Sequence, residues 1–549
     1  VVSAVQEAAS TGETLSHAAS NTSSSRMQGL AGAAGALAAY NTYNKVSDIL
    51  KDPKQVTGFS IDISLGSSKS SGSTHDESTT AVGSQVISAG SVNVTARNPK
   101  PNPDGTTAPA TANAGNILIE GSQVIATEDI NLNADRDITL LAAGNTSEHS
   151  SQNQSSSASV GVGFALGGAA NGFTINASAS RAKGQANGES QSSTNTSLQA
   201  GGTLTFNSGG DTTFQGATAS ANKVTGTVGG DLNLSSLQDT STYAEKQSST
   251  GVGVSLCIPP ICAGASTANV SVSKTNINSN YQSVGEQTAI RAGDGGFNID
   301  VQGKTTLTGA QITSTQAAID NNKNKFKSAG GLDMQDLQNT AQYDASSYSV
   351  SATVRGDSRK KDGTPMLDAA GKPVKGKPEG SAGFGSDSGQ GSSTSTSGIS
   401  GVAGNTSART GDQETGLKPL FDAAKTKADV QGQVAITAEF GKNASKAWGD
   451  FANTKFLDAV KSGDEDEAKC WAADGTCRAA GHFFIGGLTG GAAGAVGAGA
   501  SSLAVPHLQA FLVDAGLSPT AASAITQLSV LGAGHAAGGA AAGGAAFNE

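Results

Sequence analysis

The chain has 549 residues, 73 of them glycine, with 4% aromatic and 15% charged residues and a formal net charge of −10. Such a length calls for several domains, while the scarcity of aromatics and charges argues against both an ordinary enzyme core and a charge-rich disordered chain. Net acidity with no basic block beyond Arg359-Lys360-Lys361 leaves no electrostatic footprint for nucleic acid.

The first residues, from Val1, lack the basic, apolar and small-residue order of a signal peptide, so the sequence reads as a piece of something longer. Residues 1–55 are Ala-rich, and the spacing in Leu30-Ala-Gly-Ala-Ala-Gly-Ala-Leu-Ala-Ala-Tyr40 predicts short helices. From 56 to 354 the pattern changes to a degenerate repeat. Gln85–Val94, Thr196–Phe206 and Thr288–Ile299 each place an Ala-Gly turn between two short alternating strands. A second signature is interleaved: Gly58–Leu65, Ser157–Phe164, Ser249–Leu256 and Tyr348–Val354, recurring at roughly 90–100 residues.

Within these units apolar and polar residues alternate with the period of a half-buried strand, and Gly-Gly and Gly-Asp steps supply turns. Gly229-Gly-Asp-Leu-Asn-Leu-Ser-Ser236 is typical, with Leu232 as a core position. Stacking such units coil on coil buries a narrow aliphatic core with few aromatics. The expected fold is therefore mainly β, a right-handed parallel β-helix with hairpin or loop excursions, followed by a small α-helical Gly/Ala-rich domain. The Ser157-Ala-Ser-Val-Gly-Val-Gly-Phe164 type of segment leaves the coil, either as a hairpin packed along its flank or as a sticky strand donated to a partner sheet.

Four cysteines form two local pairs, Cys257 with Cys262 and Cys470 with Cys477. Each pair closes a short loop, as disulfides in an oxidising compartment or as reduced small hydrophobes; neither has the four convergent ligands of a zinc site. Residues 355–412, rich in Gly, Ser and Pro, read as a flexible linker. They open on Arg355-Gly356-Asp357, an adhesion-type tripeptide or an ordinary turn. Residues 413–549 form a separate helical region ending in the Gly/Ala-rich stretch Phe483 to Pro506 and beyond, either a helical hairpin in water or a segment that contacts membrane.

The units "AGGTLTF…GDTTFQGA…VGGDLNLSS" resemble the haemagglutinin repeats of filamentous-haemagglutinin-like exoproteins exported by two-partner secretion. The tail "CRAAGHFFIGGLTGGAAGAVGAGASSLAVPHLQAFL…AAGGAAAGGAAFNE" resembles the pretoxin region of the contact-dependent growth inhibition, CdiA-like, family. The resemblance implies a stalk and delivery region on the bacterial surface, partnered by an outer-membrane transporter and by the target cell's outer membrane or a receptor in it. It also implies a toxin beyond Glu549, through which alone an immunity protein would bind. A host-cell adhesin of the filamentous haemagglutinin type is the alternative.

No catalytic set accompanies these patterns. The six histidines, His17, His75, His149, His482, His507 and His535, are scattered, and Gly303-Lys304-Thr305 lacks the phosphate loop's first glycine, because Asn298 stands there. No cofactor or metal is expected, and Asp464-Glu-Asp-Glu467 reads as a solvated helix start.

Overall fold

The computed structural model describes residues 2–51, 59–98, 114–166, 170–367, 371–376, 379–412 and 416–489. The chain is mainly β, built from stacked parallel ladders and one long antiparallel sheet. In the first ladder Gln85–Ser88, Gln123–Ala126 and Thr196–Ala200 lie parallel, followed by the leading part of Ala217–Val228, that of Ala289–Val301, then Gln311–Thr313 and Gly398–Ile399. A second runs through Val92–Ala96, Ile130–Ala134 and Thr203–Ser208 to Lys325–Ser328, and a third from Ile117–Glu120 through Leu232–Ser235 to Leu332–Gln335.

Parallel register puts like on like, so alternate residues of successive coils stack into continuous inward rows. Val124, Leu198, Ala219, Ile290, Ile312 and Ile399 form one such row, and Leu140, Phe214, Leu234 and Leu307 another. All of them belong to a single buried core that also holds Leu232. Where one coil carries the large Phe206, its neighbour in the row is Gly226, whose absent Cβ leaves room for the ring. The Gly-Gly-Asp steps do more than turn. Asp211 N–H donates to Asp137 Oδ1 (2.9 Å), Asp231 N–H to Asp211 Oδ1 (2.8 Å) and Lys304 N–H to Asp231 Oδ1 (2.7 Å). Each carboxylate thus caps a backbone donor of the next coil, and the glycines at 210, 230 and 303 leave space for it.

Between coils the chain leaves the stack as long hairpin arms. Phe59–Thr79, Ala143–Leu166, Ala170–Thr194, Gln238–Gly264, Thr267–Val284, Leu337–Arg355 and Glu379–Ser395 pair in that order into a seven-stranded antiparallel sheet. The excursions therefore pair with one another rather than lying singly against the coils.

Two expectations are corrected here. The 355–412 stretch is not simply a flexible linker, because Glu379–Ser395 is the last strand of the sheet and Gly398–Ile399 caps the first ladder. Its glycines serve close approach: a Cβ at Gly383 would lie 2.9 Å from the Cβ of Ala438, and one at Gly385 2.9 Å from that of Gln433, both on the overlying helix. Nor is the helical region separate. Helices α1 (Val2–Asn21) and α2 (Ser25–Lys51) precede the sheet, a short α3 (Gln316–Asp320) sits within the coils, and α4 (Ala423–Ser462) and α5 (Glu465–Trp471) follow. Leu15, Leu30 and Ala34 of α1 and α2 bury against Ile436 and Phe440 of α4, while Val430 of α4 packs on Ile277 and Ala345 of the sheet. Val430 serves the contact with the sheet and Ile436 and Phe440 the contact with α1 and α2, so α1, α2 and α4 share one core. The helix starts on Asp422, whose side chain accepts from Lys425 N–H, and stops at Gly463 in the left-handed conformation.

Candidate interaction surface

The hairpin sheet has two faces of opposite character, and the Gly-Val-Gly-Val alternation creates both. Because antiparallel neighbours stand directly opposite, odd and even positions sort onto separate faces across every arm. On one face, towards the ends of the arms farthest from the coils, Ile63, Val162, Ile175 and Leu256 stand side by side. The next row is Leu65, Val160, Ala177, Val254 and Ala268, and the one after includes Ala158, Ala179, Val252 and Val270. These side chains face solvent: Leu65 is 83% exposed, Ile63 73%, Val160 57% and Val252 50%. Ordinary strand spacing makes the patch about 20–25 Å across and about 20 Å along the strands, on the order of 500 Å². Contiguous apolar surface of that size marks an interaction site.

The other face carries the glycines and polar partners. Asn176 Nδ2 donates to Asp62 Oδ1 (2.6 Å) across Gly163, where a Cβ would collide with the Thr174 hydroxyl and Asn176. Nearer the coils α4 covers this face. Glu245, buried in the sheet, meets Lys427 Nζ of α4 at 2.6 Å and accepts from the Tyr243 hydroxyl (2.8 Å) and from Gln247 (2.6 Å). Burial, reinforced by the Glu245 carboxylate, holds the Tyr243 phenol well above its ordinary range. Burial, opposed by the Ser193 N–H, raises the Asp239 carboxyl as well. One face of the sheet is thus covered by α4 near the coils, while the opposite face is open and apolar towards the far ends of the arms.

Cys257 and Cys262 are bonded with Cα atoms 5.1 Å apart at the far end of the Gln238–Gly264 arm, which places Ile258 and Ile261 at the surface beside them. Cys470 and Cys477 are bonded where α5 turns into a further helix over 476–489, with Cα atoms 5.0 Å apart. Arg355-Gly356-Asp357 does not form a projecting tip. Arg355 ends a strand opposite Thr267, Gly356 N–H donates to Ser266 O (2.8 Å), Asp357 Oδ1 accepts from Gly376 N–H (3.3 Å), and all three residues are half-buried. His149 Nδ1 lies 2.5 Å from Asp76 Oδ1 across neighbouring arms, His482 is buried among the helices, and His507, His535 and the tail from residue 490 on lie outside the described residues. Among the described residues no group of three or more His, Cys, Asp or Glu side chains converges as metal ligands, and no helix is long and apolar enough to cross a membrane.

Residues 65–252, which span the first four rungs of the first ladder and most residues of the apolar rows, match the Hemagglutinin repeat family. About half the chain is also similar to curated CdiA proteins. It is 35% identical to "Toxin CdiA" of Escherichia coli over 294 residues, 54% of this chain and 9% of that protein. Residues 65–252 thus carry a haemagglutinin repeat, and over about half its length the chain is similar to CdiA proteins. It is 36% identical to "tRNA nuclease CdiA" of Escherichia coli strain NC101 over 302 residues, 55% of this chain and 8% of that protein. Against "Deoxyribonuclease CdiA" of Yersinia pseudotuberculosis serotype O:3, strain YPIII, identity is 36% over 281 residues, 51% of this chain and 24% of that protein. The chain therefore corresponds to a quarter or less of these relatives' length. No solved structure matches it.

Proposed function

We propose that this chain is a surface-exposed stalk and delivery region of a contact-dependent growth inhibition protein, and that its hairpin sheet engages the outer membrane of a target bacterium. The observation that carries the reading is the open apolar face, most of whose residues lie within 65–252, the stretch that matches the haemagglutinin repeat. Stacked coils suit a stalk because each coil needs only its neighbours for support, so length is gained without enlarging the core. Coils joined by parallel crossovers wind right-handed in this reading, as such connections do almost universally.

Export by an outer-membrane transporter of a two-partner system, display at the cell surface, and an immunity partner met only through a toxin elsewhere in the protein follow from the same reading. It assigns the coils and hairpins no catalysis. The nuclease chemistry named for the relatives would reside in another part of such a protein. Binding of the labelled chain to intact Gram-negative cells and, side by side, to cultured animal cells tests the proposal. Saturable binding to the bacteria alone is expected. Binding to animal cells alone would replace it with a host-directed adhesin and make Asp357→Glu the next variant to measure.

A further inference from the structure

The open face of the hairpin sheet changes character along the arms. Beyond the apolar rows, moving towards the coils, the register aligns Lys69 with Ser156, Arg181 and Thr250. The next row aligns Gln154, Lys183, Ser248 and Lys274, and the following one Gln152, Gln185 and Lys246. Five cations from four arms thus form a band directly behind the apolar patch. Lys183, Lys246 and Lys274 border one open hollow of about 550 Å³ with Ser71, Gln152 and Ser248. Among the described residues no carboxylate interrupts these rows on this face, and none of the five cations is paired with one. The next row towards the coils, which includes His75, Ser150, Asn187 and Asn278, holds Asp344, and the one after it Glu77, Glu148 and Glu189.

An apolar surface backed by a cationic band, on a chain whose net charge is −10, is complementary to one kind of partner. Hydrocarbon meets the outer rows while anionic phosphates sit a short distance behind, at the depth of the lysines. A soluble protein partner would have to match both bands over the same spacing. An anionic lipid layer presents them in that order everywhere on its surface. We infer that this face docks on an anionic lipid surface, with Ile63, Leu65, Val160, Val162, Val252 and Val254 in its apolar layer and Arg181, Lys183, Lys246 and Lys274 at its phosphate head groups. The inference deepens the outer-membrane reading above and rests on it only for the identity of the cell that supplies the lipid.

Flotation of the whole chain with vesicles of phosphatidylcholine, with and without phosphatidylglycerol, tests it. The chain is expected to float with the anionic vesicles and to be released by salt. The triple variant Lys183→Gln, Lys246→Gln and Lys274→Gln loses about a hundredfold in partitioning, at roughly tenfold per 1.4 kcal/mol and about 1 kcal/mol per surface cation. Leu65→Asp should abolish flotation, whereas Ser64→Asp, which places the same charge on the opposite face, leaves it intact. All three lysines are solvent-exposed, so the triple variant decides the case even if Leu65→Asp misfolds.

Absence of flotation, equal flotation with neutral and anionic vesicles, or an unaffected triple variant would each overturn the inference. So would self-association that Leu65→Asp abolishes, since a second copy would then occupy the face. Vesicle binding without binding to bacteria would refute the outer-membrane reading and leave this one standing; the reverse pattern would do the opposite.

Discussion

The pairing of Phe206 with Gly226 gives the most demanding test of the coil stack. Both are buried, they are register partners in adjacent coils, and a Cβ built on Gly226 falls into the Phe206 ring. Gly226 has an ordinary extended backbone, so alanine there carries no conformational strain of its own. In the native background Gly226→Ala is an overpacking change, costing about 1–3 kcal/mol. Phe206→Ala opens a cavity and costs about 3–5 kcal/mol. With the ring removed the new methyl has space, and the loss of glycine's unfolded-state freedom makes Gly226→Ala stabilising by about 0.4–1 kcal/mol. The sign of one substitution therefore reverses with its neighbour, a coupling of at least ~1.4 kcal/mol. The assay is a double-mutant cycle by denaturant unfolding, with hydrogen exchange of the Thr203–Ser208 and Ala217–Val228 strands, because stacked coils open locally. Additivity within ~0.5 kcal/mol would refute the packing described here.

Leu232→Asp places a lone carboxylate in a fully buried row and should lower stability by several kcal/mol, read by thermal unfolding; unchanged melting would mean that the faces of that strand are reversed. Lys427→Met removes the cation facing the buried Glu245, and breaking such a pair costs about 3–5 kcal/mol, whereas the double change with Glu245→Leu should recover most of that loss. Tyr243, raised by burial and by Glu245, should ionise above the ordinary tyrosine range in an ultraviolet titration. Because its folded pKa lies above the unfolded value of 10.0, stability is unaffected below that pH and falls as pH rises through the tyrosine range. Tyr243→Phe should flatten that alkaline loss.

Much of the coil stack was legible in the sequence because its signals are local. Leu232 alternates with Asn233 and Leu234, and a period of two behind a Gly-Gly-Asp turn specifies a strand with one buried face. What the Gly-Gly-Asp steps do was less visible. Their turns are local, but the carboxylate of Asp211 serves the Asp231 amide of the next coil, 20 residues on. The glycines of Glu379–Ser395 read as flexibility for the same reason, since only the helix lying on Gly383 and Gly385 shows that they provide space. Lys69, Lys183, Lys246 and Lys274 stand far apart in the sequence and form no basic run. Their alignment appears only when the arms are placed in register. The disulfide pairs and the tripeptide were legible as residues, but not their settings, because exposure depends on neighbours from other arms.

In the function proposed above, the apolar face of the hairpin sheet is what meets the target cell. Leu65 and Ser64 are adjacent in one arm, both exposed, and on opposite faces. Binding of the labelled whole chain to intact Gram-negative cells should be saturable for the native sequence and for Ser64→Asp, and lost for Leu65→Asp with an unchanged circular dichroism spectrum. Undiminished binding by a folded Leu65→Asp variant would contradict the claim.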